Sequence, residues 1–128
     1  MSSRLALRQY QRVGAQTGVE AASPHRLIQM LLGGALDRIA RARGCMQQRD
    51  IAKQGENIGV AISIVSALRS SLDMEQGGEI AANLDRLYEY MGRRLLEANM
   101  QSQSELLEEV AALLREIKEG WDAIADQV

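Results

Sequence analysis

The residues of this 128-residue chain that could take part in chemistry are one histidine, His25, one cysteine, Cys45, and a run of acids late in the sequence. Glu97, Glu105, Glu108, Glu109, Glu116 and Glu119 are numerous enough to raise a carboxylate-bound metal pair. Di-iron helical bundles, however, need a Glu-x-x-His pairing on two helices, and Ala22 stands three residues before the lone His25. These acids therefore read as a solvated helix surface. A phosphotransfer histidine is presented from mid-helix, whereas His25 falls directly after a cap at Ser23 and reads as a polar surface residue. Gly77-Gly78 has neither a preceding strand nor a following Lys-Ser/Thr, so it is no phosphate cradle. Cys45 can form no internal disulfide and reads as a small apolar residue of a reducing cytoplasm. No nucleophile, acid/base pair or cofactor motif emerges, and a non-enzymatic protein with no cofactor is expected.

The elements around these residues are helical. The chain has one proline and no phenylalanine, and it is rich in Ala, Leu, Glu, Gln, Arg and Met. Ser23-Pro24 opens a first helix, because Ser accepts from an orphan N–H and Pro at the first position has none to lose. Leu27, Ile28, Leu31, Leu32, Ala35, Ile39, Ala42 and Met46 carry it to Gln47 at helical spacing. Asp50 is the expected cap of a second helix reaching Asp73, with the reversal at Gly77-Gly78. A third helix from Gly78 to Met100 carries Ile80, Leu84, Leu87, Tyr88, Met91, Leu95 and Ala98. Ser102 and Glu105 have the spacing of a capping box for a fourth, with Leu106, Val110, Leu113, Leu114, Ile117, Trp121 and Ile124 on one face. Three short connections imply an all-α, antiparallel up-down four-helix bundle over residues 23–128.

Residues 1–22 read differently. Ala6, Leu7, Tyr10 and Val13 share one face of a short helix and Arg4, Arg8 and Arg12 the other, followed by a tether containing Gly14 and Gly18. This is an N-terminal amphipathic arm; an organelle transit peptide would be richer in hydroxyls. No apolar run approaches the roughly 20 residues of a membrane span, and no secretory leader pattern is present. Residues 1–49 carry eight Lys/Arg against two acids, and residues 50–128 seven against fifteen, so the two halves can attract each other. The basic half lacks aromatic interleaving or a reading motif, which argues against nucleic acid as a partner.

The second helix carries the anomaly. Ile58, Ala61, Ile62, Val65, Leu68 and Leu72 form the expected core face, yet Val60, Ile64 and Ala67 make a second apolar stripe. Between them runs a band of small residues, Gly55, Gly59, Ser63, Ser66 and Ser70, open to close approach by another backbone. A surface helix of a bundle needs one apolar stripe, so the second calls for a cover. The candidates are the arm with Tyr10, a second copy in a weak homodimer, or a partner helix in the groove. A central position of this helix in the bundle would also account for the stripe. Tyr90, Leu96 and Met100 lie off the core face of the third helix and extend the candidate binding surface.

Taken in order, Ser23-Pro24-His25-Arg26-Leu27-Ile28 with Met30-Leu31, Leu72-Asp73, Gly77-Gly78-Glu79-Ile80-Ala81-Ala82-Asn83-Leu84, Leu87-Tyr88-Glu89-Tyr90-Met91, Ala98-Asn99 and Trp121 resemble the flagellin-specific export chaperone family, FliS. Tyr10 belongs to the same match. The resemblance implies a bacterial, cytoplasmic, non-catalytic helical bundle. It also implies binding of the C-terminal segment of flagellin, which is held from early polymerisation and delivered to the flagellar export apparatus. That segment is expected to be disordered when free and helical on the chaperone.

Overall fold

The computed structural model describes residues 23–125, which form four helices: α1 (Pro24–Gln47), α2 (Ile51–Ser70), α3 (Met74–Gln101) and α4 (Ser104–Ala123). The arm, with Tyr10 and its apolar stripe, lies outside the described residues. α1 starts as its sequence dictates, with the Arg26 backbone N–H donating to Ser23 Oγ at 3.1 Å and Pro24 in the first turn. α2 likewise starts from Asp50, whose carboxylate accepts from the Lys53 N–H at 3.1 Å. The reversal between them passes through Arg49 in the left-handed region, at φ 58°.

Two connections differ from expectation. α2 ends at Ser70, and Asp73 starts a helix where the sequence reading had it end one. Its carboxylate accepts from the Glu75 and Gln76 N–H groups, which satisfies orphan donors of a new first turn and brings the start of α3 forward to Met74. The reversal therefore falls at 71–73, but Gly78 still leaves helical geometry, at φ 52° and ψ −127°, and kinks α3. A Cβ on Gly77 would stand 2.6 Å from that of Ala81, so the kink needs glycine at both positions. Beyond the kink Ile80 turns to solvent and drops out of the expected core stripe.

The Ser102–Glu105 capping box is not made. Ser102 is occupied in ending α3, in the left-handed region at φ 49° with its N–H donating to the Ala98 carbonyl. Gln103 takes the cap position of α4 and makes no side-chain capping bond. At the far end of α4, Ile124 follows the last helical residue and is exposed, so the apolar face stops at Trp121.

Each helix packs on two others, α1 on α2, α2 on α3, α3 on α4, and α4 back on α1. Polar contacts fix the antiparallel sense: Arg69 late in α2 meets Asp85 early in α3, Arg94 late in α3 meets Glu109 early in α4, and Gln29 early in α1 meets Asp122 late in α4. The fold is an all-α, up-down four-helix bundle. Leu31, Leu32, Ile39, Ile58, Leu68, Met91, Leu95, Leu107 and Leu114 fill its centre. No helix among the described residues is long and apolar enough to cross a membrane.

Candidate partner-binding surface

α2 decides where a partner could lie. Ile64 is only 4% exposed and Ala67 is fully buried, while Val60 is half-buried against the core. The expectation of an uncovered second stripe is thus corrected. Asn57, two turns before Ile64 on the same face, accepts at Oδ1 from Arg38 of α1 at 3.2 Å, so that flank looks toward α1. A helix with neighbours on two sides buries both flanks as well as the face between them. From Ala67 round to Ile58 the buried arc of α2 covers about half its circumference at ~100° per residue.

The small-residue band has a different fate. Gly59 is exposed, with nothing within 4 Å of a Cβ placed there, and a Cβ at Gly55 would touch only the Asn99 side chain, at 3.8 Å. No neighbouring helix presses on either glycine. Next to it, α2 and α3 enclose a shallow furrow of about 290 Å³ lined by Ile62, Val65, Ser66, Arg69, Tyr88, Glu89, Gly92, Arg93 and Leu96. Its floor is apolar. Its rim carries the ion pairs Arg69–Asp85 at 2.7 Å and Arg93–Glu89 at 2.8 Å. Leu96, 53% exposed, stands at its lip, and Met100, 77% exposed, follows one turn later. Of these residues only Ser66, Leu96 and Met100 had a signal in the sequence; Ile62 and Val65 read as plain core, and Gly92 gave none.

Tyr90 sits on the other flank of α3, half-buried, and donates its hydroxyl to Glu109 Oε2 of α4 at 2.5 Å. Arg94 donates to the other oxygen of that carboxylate at 2.9 Å and to Glu97 at 2.9 Å, and its guanidinium lies 5.7 Å from the Tyr90 ring centroid. The bonds from Tyr90 and Arg94 hold the Glu109 carboxyl below the usual range, and the same bond to Glu109 pushes the Tyr90 phenol up. Tyr90 is therefore a strut between α3 and α4, and it does not share a furrow with Val60. Of the late acids, Glu97, Glu108 and Glu109 are in ion pairs with Arg94, Arg43 and Arg115. Among the described residues no group of three or more His, Cys, Asp or Glu could hold a metal ion.

His25 also departs from the expectation of a polar surface residue. It is 9% exposed, not a surface residue, and its ring stacks on Trp121 with centroids 4.5 Å apart and planes 7° from parallel. The Trp121 indole donates to the His25 carbonyl at 2.9 Å, which ties the start of α1 to the end of α4.

The described residues thus form an antiparallel four-helix bundle with an open apolar furrow between α2 and α3. Residues 6–128 match the family model of the flagellar protein FliS, and the chain belongs to that family. It is 53% identical to the flagellar secretion chaperone FliSB of Pseudomonas aeruginosa over 98% of this chain and 99% of that protein. It is 43% identical to the flagellar secretion chaperone FliS of Salmonella typhimurium, over 98% and 93%, and 42% identical to that of Vibrio cholerae, over 94% and 89%.

Proposed function

We propose that this chain is a cytoplasmic, non-catalytic export chaperone that binds the C-terminal segment of flagellin, prevents its premature polymerisation and assists its delivery to the flagellar export apparatus. The observation that carries this reading is the α2–α3 furrow, with its apolar floor of Ile62 and Val65 and its open lip of Leu96 and Met100. A segment that folds only on binding bears its ordering cost at that moment, so its host should offer long shallow apolar surface in preference to one deep pocket. Gly92 in the furrow and Gly59 beside it leave room for a partner backbone that internal packing does not take up.

In this reading residues 23–128 are the chaperone domain and residues 1–22 a displaceable arm whose Tyr10 contributes to the binding surface. Val60, half-buried on the α1-facing side of α2, and Tyr90, on the α4-facing side of α3, are further contacts of a segment that wraps beyond the furrow, whereas Ile64 and Ala67 belong to the core. Calorimetry with a flagellin C-terminal peptide tests the assignment. Leu96→Asp should alter stability by no more than ~0.5 kcal/mol, since the site is exposed, and weaken peptide binding at least about tenfold. An unchanged affinity would remove the furrow from the contact.

A further inference from the structure

At the end of the bundle where α1 begins and α4 ends, Pro24, Leu27, Ile28, Ser71 and Trp121 line a second opening, of about 510 Å³ and almost wholly apolar. Its walls come from α1, α4 and the turn after α2; among the described residues α3, the remaining member of the ring, contributes none. The missing wall coincides with the kink in α3. Gly78, at φ 52° and ψ −127°, sets the turn of Met74 to Gly77 apart from the rest of the helix, and every residue from Asp73 to Ile80 is exposed.

The sequence of α3 carries a register that this kink interrupts. Its buried residues Ala81, Tyr88, Met91, Leu95 and Ala98 follow one helical stripe, and Met74 stands seven residues before Ala81 and fourteen before Tyr88. A step of seven residues returns to within roughly 20° of the same face, so an unkinked α3 would carry Met74 on its buried stripe. In the kinked helix Met74 is instead 50% exposed. Ser71, three residues before it, already lines the opening, and three residues of chain span no more than about 11 Å. Methionine, unbranched and flexible, is the side chain that fills irregular apolar gaps. Glycine adopts the left-handed conformation of Gly78 about as readily as a helical one, so neither form of the helix is closed to the chain.

We propose that residues 74–78 are a hinged lid: α3 exchanges between the kinked form, which leaves the end of the bundle open, and a straight form in which Met74 enters the opening beside Trp121. The kinked form presents apolar surface and the straight form hides it. This exchange requires nothing of the α2–α3 furrow, so the lid and the flagellin assignment can each fail without the other.

Nuclear magnetic resonance of the full-length protein, isotope-labelled at the methionine methyl groups, reads the contact directly, because Trp121 is the single tryptophan. The Met74 methyl signal, identified by its loss in Met74→Ala, should show a nuclear Overhauser effect to the Trp121 indole protons. Gly78→Ala makes the kinked conformation costly and leaves the helical one free. It should strengthen that contact and lower acrylamide quenching of Trp121 emission by about half, as the straight form gains population. Adding Met74→Ala to Gly78→Ala should restore the quenching. No contact between Met74 and Trp121 in the unmodified protein overturns the proposal whether or not the variants fold. Quenching that fails to fall in Gly78→Ala, or that Met74→Ala fails to restore, overturns it as well.

Discussion

The indole N–H of Trp121 donates to the backbone carbonyl of His25 across 96 residues of sequence, at 2.9 Å, while the two rings stack at 4.5 Å. This contact joins the first turn of α1 to the last turn of α4. It closes the ring of four helices at the end where no loop connects these two. Trp121→Phe keeps an aromatic ring but removes the donor and leaves a carbonyl of the first turn without it. Stability in urea should fall by ~0.5 to 1.5 kcal/mol with an unchanged denaturant slope.

The burial of Ile64 sets a second expectation. At 4% exposure on the α1-facing flank, Ile64→Asp would place an unpaired carboxylate in the core. It should cost about 3 to 5 kcal/mol and show first as a fall in thermal midpoint, before any effect on binding is measured. Leu96→Asp, on the open side of the same bundle, should melt close to the unmodified protein. A near-neutral Ile64→Asp would mean that this flank opens readily in solution.

Tyr88 links stability to alkaline pH. Desolvation pushes its phenol up to about 12, from 10.0 when unfolded, so the folded chain holds the proton after the unfolded chain has lost it. The neutral phenol therefore supports the fold fully below pH 10, and that support is lost as pH rises from 10 toward 12. Two pH units of difference correspond to roughly 2 to 3 kcal/mol. Urea midpoints taken across this range should decline in the unmodified protein and decline less in Tyr88→Phe.

Arg49 holds a left-handed conformation, at φ 58°, in the turn between α1 and α2. A side chain there costs ~1 to 2 kcal/mol that glycine avoids, although glycine also loosens the unfolded chain. Arg49→Gly is expected to raise stability by ~0.5 kcal/mol, read from the urea midpoint. A loss of stability would show that the Arg49 side chain makes a contact worth more than the strain.

The positions of the helices were legible from residue types because the interactions that start and stop them are local. Ser23-Pro24 and Asp50 each need only the N–H groups two or three residues on, and both cap as their chemistry requires. Even there, neighbours compete for the same residue. Asp73 serves the helix that follows it, and Ser102 ends one helix and is not free to begin the next. The family, too, was legible, since an ordered series of short motifs survives without knowledge of packing.

What the chain assembles from distant segments was not. Periodicity tells how wide an apolar arc is, but not which neighbour covers it. Val60, Ile64 and Ala67 therefore read as an open groove, although α2, packed between α1 and α3, buries Ile64 and Ala67 and leaves only Val60 at the edge. The furrow that does open is lined from both α2 and α3, and residues such as Ile62 and Gly92 acquire meaning only when two helices are set side by side. His25 shows the same limit at a single residue. A histidine after a helix cap is a surface residue by its local surroundings, and it is buried here because Trp121, 96 positions later, lies flat against it. Local bonds select the elements; which face each one hides depends on the neighbour the fold brings to it.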